Sequence, residues 1–146
     1  MLVVIQRVTS SYVKVEKSII GCIDKGLVCL VCAVPNDTLK TIEKVADKIS
    51  KLRIFNDANG KMNKSVIDIG GSVLIISQFT LAANTARGNR PDFRGAMQQK
   101  EAKFLFEYLV KTMKDKKIKT ETGVFGANMK LMICNDGPVT ISLNIE

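Results

Sequence analysis

The sequence has no histidine and no tryptophan, and only three prolines, among its 146 residues. Histidine is the general base of Ser-His-Asp and Cys-His hydrolases, so neither kind of catalytic centre can be built from this chain alone. Any hydrolytic activity must therefore use other groups.

Cysteine and histidine ligands for a zinc site are also scarce. The four cysteines are Cys22, Cys29, Cys32 and Cys134. Cys29 and Cys32 form a CxxC, but no second CxxC and no histidine completes a zinc site. Most of these cysteines lie in strand-like segments beside aliphatic residues, which favours buried thiols that act as small hydrophobes. We therefore expect no metal and no cofactor.

Long apolar runs are missing too. No segment approaches the roughly 18 apolar residues that a membrane-spanning helix needs, and the beginning of the chain alternates polar and apolar side chains, unlike a signal peptide. These features predict a cytoplasmic protein without a membrane partner. The length of 146 residues predicts a single domain, 1–146.

Positive charge is in excess, with a net charge of +8 and a pI near 9.4. Such a surface attracts polyanions, including nucleic acids and anionic membranes. The densest basic run, KTMKDKKIK at residues 111–119, is also typical of a solvated helix face. Charge alone leaves RNA binding and an ordinary basic surface as alternatives.

Short apolar runs predict a sheet. Apolar residues at helical spacing predict two amphipathic helices, one that begins after the capping residue Thr38 and one over residues 98–117. The predicted strands are 2–9, 12–16, 19–24, 27–34, 72–79, 118–126, 129–135 and 139–145, the first four antiparallel. Their order predicts an α+β fold with a largely antiparallel, barrel-like β-sheet and two amphipathic helices packed on it.

The segment SQFTL, residues 77–81, ends an apolar strand just before a long aperiodic loop, residues 81–97. Loops of this length are uncommon unless they are functional. Polar groups at a strand end suit binding, although outward-facing positions give the same pattern. Ser77 and Thr80 have no histidine to activate them, which disfavours covalent catalysis. Backbone N–H groups here could instead stabilise an oxyanion.

The segment NDGPVT, residues 135–140, interrupts an apolar strand with Gly137 and Pro138. An ordinary turn explains it, since Asp-Gly and Pro are turn residues. The alternative is that the backbone itself has a function.

Together, SQFTL and NDGPVT resemble the two signature motifs of D-aminoacyl-tRNA deacylases. They occur in the family's order, about 55 residues apart. The segments VVIQRV, LRIF, GKMN, RGNRPDF and FGANM are similar to family segments as well. The resemblance covers nearly the whole chain, and the joint match is specific.

The resemblance implies a homodimer that hydrolyses the ester joining a D-amino acid to the 3′-terminal adenosine of tRNA. Some members also clear mischarged glycyl-tRNA(Ala). A cis Gly137-Pro138 peptide would direct its carbonyl oxygens into the partner's pocket, where an L side chain would collide with them. A ribose 2′-hydroxyl of the substrate would assist the attacking water, so no protein nucleophile is needed.

The resemblance also assigns residues. Backbone amides of Phe79 and Thr80 would bind the aminoacyl carbonyl, while Ser77 and Gln78 line the pocket, and these four form the catalytic set. Arg7 would fix the Gly-Pro segment. The predicted substrate-binding residues are Gly137, Pro138, Met129, Phe125, Arg7 and Phe93. Two other functions stay open: a non-catalytic RNA-binding module, and a related deacylase that proofreads L-aminoacyl-tRNA.

Overall fold

A nearly closed β-sheet and two helices make up the protein. The computed structural model describes all residues 1–146. The strands are β1 Leu2–Val15, β2 Ser18–Ile23, β3 Gly26–Cys32, β4 Phe55–Asn56, β5 Met62–Lys64, β6 Ser72–Ser77, β7 Lys119–Thr122 and β8 Met129–Asn144, and the helices are α1 Leu39–Lys51 and α2 Gln99–Asp115.

The main sheet has the strand order β2-β1-β3-β6-β7, and β8 pairs with β1. Strand β1 is antiparallel to β2, β3 and β8. The pairs β3–β6 and β6–β7 are parallel, because each is joined by a crossover that contains a helix. The predicted α+β fold with a largely antiparallel, barrel-like sheet and two packed helices is confirmed, and the two parallel pairs make the sheet mixed rather than purely antiparallel.

The sheet closes where β2 approaches β7. A Cβ added to Gly21 in β2 would lie 2.7 Å from the carbonyl oxygen of Thr122 in β7. Only glycine permits this close approach of the two backbones. Gly21 therefore allows the two edge strands, β2 and β7, to approach each other.

Two hydrophobic clusters lie on opposite faces of the central strands. The larger one joins both helices to one sheet face through Ile42, Ile49, Leu109 and Met113. The smaller one includes Val13, Val28 and Leu74 and fills the other face. Strands β3 and β6 are buried on both faces, as parallel strands usually are. Thr38 caps α1 through its side chain as predicted.

Two predicted breaks between strands are wrong. Residues 2–9 and 12–16 form the single strand β1, and residues 129–135 and 139–145 form the single strand β8. Val8 pairs with Asn135 and Gln6 with Thr140, so residues 136–139 lie opposite Arg7 alone. The predicted turn is thus a β-bulge, which absorbs the extra residues without ending the strand. We call residues 136–139 the β8 bulge.

The prediction of buried thiols holds for half of the cysteines. Cys29 and Cys32 are buried, whereas Cys22 and Cys134 are exposed. Successive side chains of a strand point to opposite faces, so Cys22 points outward between the buried Gly21 and Ile23. Aliphatic neighbours in the sequence did not reveal which face each thiol would occupy.

Neither helix is long and apolar enough to cross a membrane.

Candidate active site

A cleft of about 800 Å³ opens at the carboxyl ends of β3 and β6. Parallel strands end at the same edge of a sheet, which is where α/β folds commonly bind ligands. Two backbone hydrogen bonds fix this edge: Gln78 N–H donates to the Val31 carbonyl at 2.8 Å, and Met97 N–H donates to the Ala33 carbonyl at 2.9 Å.

Six of the predicted site residues meet in this cleft although they come from three distant segments. They are Ser77, Gln78, Phe79, Phe93, Phe125 and Met129. Thr80 follows them in the chain but does not line the cleft, and Arg7, Gly137 and Pro138 also lie outside it. The structure therefore assembles one part of the predicted site and places the β8 bulge elsewhere on the same chain.

The SQFTL segment turns sharply at the cleft. Strand β6 ends at Ser77, and a 3-10 helix spans Phe79–Ala82. The first N–H groups of such a helix, those of Phe79 and Thr80, have no partner within it. The Gln78 side-chain amide donates a hydrogen bond to the Thr80 hydroxyl. The turn thus presents two backbone donors, while the hydroxyl of Thr80 is held by an amide rather than by a base.

Aromatic residues form two walls. Phe79 meets Phe93 edge to face, with 5.1 Å between ring centroids. Phe125 packs against Phe106 of α2, with 5.6 Å between ring centroids, and both line the cleft. Phe79 is 59% exposed, which is unusual for a phenylalanine and places a large apolar surface at the mouth of the cleft.

The 81–97 loop borders the cleft and is ordered by its own hydrogen bonds. Asn84 and Asp92 exchange two backbone hydrogen bonds of 2.7 and 3.0 Å. The Asp92 carboxylate accepts from Arg94, whose guanidinium holds the pKa of Asp92 below its usual value. Phe93, next to this closure, packs on Phe79. The loop is therefore anchored beside the 3-10 helix.

The β8 bulge is held by Arg7, which is only 7% exposed. Its Nε donates to the Asp136 carbonyl at 3.1 Å and lies 3.3 Å from the Asp136 carboxylate. Its Nη1 donates to the Ile54 carbonyl at 2.6 Å. Gly137 has a φ of +123° and its peptide bond to Pro138 is cis. Arg7 therefore binds Asp136, the residue that precedes Gly137.

Several cleft residues were not anticipated from the sequence. Cys32, Met97 and Asn128 line the cleft beside the predicted residues. Burial raises the pKa of the Cys32 thiol, so the neutral thiol is a poor nucleophile. Cys32 could have been found by predicting β3 parallel to β6, because parallel pairing brings the carboxyl ends of the two strands together.

The lining is mostly apolar, with a few polar side chains and backbone donors. No group of three or more Cys, Asp and Glu side chains is positioned to hold a metal ion. Such a cleft can bind an acyl group and stabilise a developing oxyanion without a side-chain nucleophile.

Residues 4–144 match the family described as D-Tyr-tRNA(Tyr) deacylase. A D-aminoacyl-tRNA deacylase of Dinoroseobacter shibae is 50% identical over 97% of both chains. A D-aminoacyl-tRNA deacylase of Clostridium botulinum is 50% identical over 99% of this chain and 97% of its own.

Two solved structures have a similar fold. The protein described as c-Myc DNA Unwinding Element Binding Protein superposes with a TM-score of 0.93 and 38% identity, covering 99% of this chain and 98% of its own. A probable eukaryotic D-amino acid tRNA deacylase shares the fold alone, with a TM-score of 0.80 and 14% identity over 97% of both chains. The chain therefore belongs to the D-Tyr-tRNA(Tyr) deacylase family, a family of hydrolases.

Proposed function

We propose that this enzyme hydrolyses the ester bond between a D-amino acid and the 3′-terminal adenosine of tRNA, releasing the free D-amino acid and tRNA. One observation carries the proposal: six residues from three distant segments, all expected at the family's site, meet in one cleft. The match to the family over residues 4–144 supports the same reaction.

The chemistry proceeds by attack of water on the ester carbonyl carbon. The carbonyl oxygen becomes an oxyanion, which the N–H groups of Phe79 and Thr80 stabilise by hydrogen bonds. The bond from that carbon to the ribose 3′-oxygen then breaks, and the leaving oxygen takes up a proton. The neighbouring 2′-hydroxyl assists the water, which fits a chain without histidine. Orientation and oxyanion stabilisation can together contribute several kcal/mol to such a reaction.

Chiral selection comes from the β8 bulge of a second copy of the chain. The carbonyl oxygens of Gly137 and Pro138 enter the partner's cleft, where they leave room for an α-hydrogen but not for an L side chain. Selection by repulsion of this kind needs rigid groups. Two observations support it: Arg7 fixes the bulge, and the bulge does not line the cleft of its own chain. The same filter admits glycine, so glycyl-tRNA(Ala) is a second proposed substrate.

Turnover distinguishes this function from RNA binding alone. With D-Tyr-tRNA in about tenfold molar excess over enzyme, we expect release of all the D-tyrosine, because each molecule of enzyme acts repeatedly. Uncharged tRNA made in the reaction is measured in parallel. Tight binding of tRNA with no release above the spontaneous rate would show a non-catalytic RNA-binding module instead.

A further inference from the structure

We propose that the tip of the 81–97 loop binds phosphates of the 3′-terminal nucleotides of tRNA through Arg87 and Arg90. This inference rests on the proposed function, since it assigns the part of the enzyme that recognises the RNA backbone next to the ester.

The loop tip carries unopposed positive charge. Arg87 and Arg90 are exposed, and neither takes part in any ion pair of the chain. The only acidic residue of the loop, Asp92, is already paired with Arg94 at 2.6 Å. The loop therefore has a net charge of +2, and both of these charges belong to the two free guanidinium groups.

Hydrogen bonds restrain the loop on both sides of its tip. The Asn84–Asp92 bridge closes it, and the Asn84 side chain accepts a hydrogen bond from Ala86 N–H at 2.9 Å. Phe93 at its base packs on Phe79 of the 3-10 helix. A restrained loop loses less conformational entropy when it binds a ligand than a free one does.

The position suits the RNA backbone. The base of the loop, through Phe93, Arg94 and Met97, lines the cleft that receives the aminoacyl ester. When the ester occupies the cleft, the terminal adenosine and its 5′-phosphate must lie at the mouth. Guanidinium groups bind phosphate with two parallel hydrogen bonds, which makes arginine the suitable residue at this place.

Helix α2 offers more lysines but a weaker phosphate site. Lys103, Lys111 and Lys114 border a groove between α2 and residues 122–125, and Glu107 and Asp115 border the same groove. Lys116, near the end of the helix, pairs with Asp47. Carboxylates in the groove repel phosphate, so the loop is the better candidate of the two.

The test compares two substrates that differ in their phosphates. Wild type and Arg87→Gln/Arg90→Gln are assayed on D-Tyr-tRNA and on the 3′-D-tyrosyl ester of adenosine, which has no phosphate. We expect kcat/KM for D-Tyr-tRNA to fall about tenfold, with less than about a twofold change for the adenosine ester, because only the RNA offers phosphate contacts. Equal effects on both substrates, or no effect on D-Tyr-tRNA, would overturn the assignment.

Two further variants serve as controls. Lys25→Gln/Lys119→Gln removes two exposed charges at the amino-terminal ends of β3 and β7, at the edge of the sheet opposite to the cleft and about 20 Å from it. This variant should behave as wild type on both substrates. Lys111→Gln/Lys114→Gln tests the helix: a larger loss on D-Tyr-tRNA from this variant than from the loop variant would also overturn the proposal.

Binding of uncharged tRNA separates this inference from the proposed function. The slope of log K against log salt should become shallower by roughly 1.4 in the loop variant, since each lost contact to single-stranded RNA changes it by about 0.7. An unchanged slope counts against the phosphate contacts even if wild type is an active deacylase. Absence of hydrolysis by wild type would instead overturn the proposed function, whatever the slope.

Discussion

Arg7 shows how one buried side chain can connect two separate backbone segments. It donates to the carbonyls of Ile54 and Asp136 from different nitrogens, and a guanidinium is suited to this because its donors form a rigid fork. The Asp136 carboxylate lies beside it. In the proposed mechanism, Arg7 therefore acts as a positioning residue for the oxygens of the bulge.

The substitution Arg7→Lys tests this role. A single ammonium group cannot reach both carbonyls in the same geometry, so the free energy of unfolding should fall by about 1–3 kcal/mol. The preference for D-Tyr-tRNA over L-Tyr-tRNA should fall roughly tenfold or more, because small displacements of positioning groups have large effects on rate.

Arg53→Lys is the matched control, because Arg53 also bonds a backbone carbonyl, that of Asn63, but is exposed. Chemical denaturation and initial rates on both substrates measure the effects. A folded Arg7→Lys protein with undiminished chiral preference would contradict the positioning role.

Thr80 distinguishes backbone from side-chain catalysis. Its hydroxyl accepts a hydrogen bond from the Gln78 amide, and the chain has no histidine to deprotonate it. Thr80→Ala keeps the backbone N–H group, so we expect kcat on D-Tyr-tRNA to stay within about fivefold of wild type. Loss of an oxyanion donor itself would lower kcat by a factor of about 10²–10³. Complete loss of activity in a correctly folded variant would make Thr80 the nucleophile.

Among the elements, helices with periodic apolar residues were predicted well from the sequence, whereas the pairing of strands was predicted poorly. The apolar spacing of Ile42, Val45 and Ile49 predicted α1, and all three are buried. The continuity of β8 through residues 136–139 was not predictable in the same way, because the bulge depends on pairing with a strand more than 120 residues away. The turn residues Gly137 and Pro138 correctly indicated a departure from regular strand geometry. They did not reveal that the strand continues beyond it.

The same limit applies to the site. The motifs identified Ser77, Gln78 and Met129, which line the cleft. Nothing local in the sequence indicated that Cys32 would join them, since its place follows from the parallel pairing of β3 with β6. Residues brought in by tertiary pairing are therefore the part of the site that sequence patterns miss.

Strands β2 and β3 place Cys22 and Cys29 in environments that give their thiols different reactivities. Burial raises the pKa of Cys29 far above its ordinary value, so its thiol stays protonated throughout the usual pH range, whereas Cys22 is exposed. Brief alkylation of the native protein at pH 8, followed by peptide mass spectrometry, should label Cys22 at least about a hundredfold faster than Cys29. In denaturant the two rates should become similar. Comparable labelling in the native state would contradict the burial of β3.

In the whole molecule, the proposed oxyanion donors lie at the cleft of one chain and directly beside it, and the bulge of another chain supplies the proposed chiral filter. The chain brings Ser77 and Phe79 to the cleft and leaves Gly137 and Pro138 outside it. The proposed site is therefore complete only when two copies come together. Light scattering of the purified protein should give twice the chain mass of 16.1 kDa. A species of one chain mass that retains chiral selectivity would contradict the shared site.

In the proposed function, this enzyme cleaves the D ester and excludes the L ester. The most direct measurement is the pair of single-turnover rates on D-Tyr-tRNA and L-Tyr-tRNA, at saturating enzyme and with the same tRNA preparation. We predict a D to L ratio of about a hundred or more, which corresponds to roughly 2.7 kcal/mol. Equal rates, or faster cleavage of L-Tyr-tRNA as in a deacylase that proofreads L-amino acids, would contradict it.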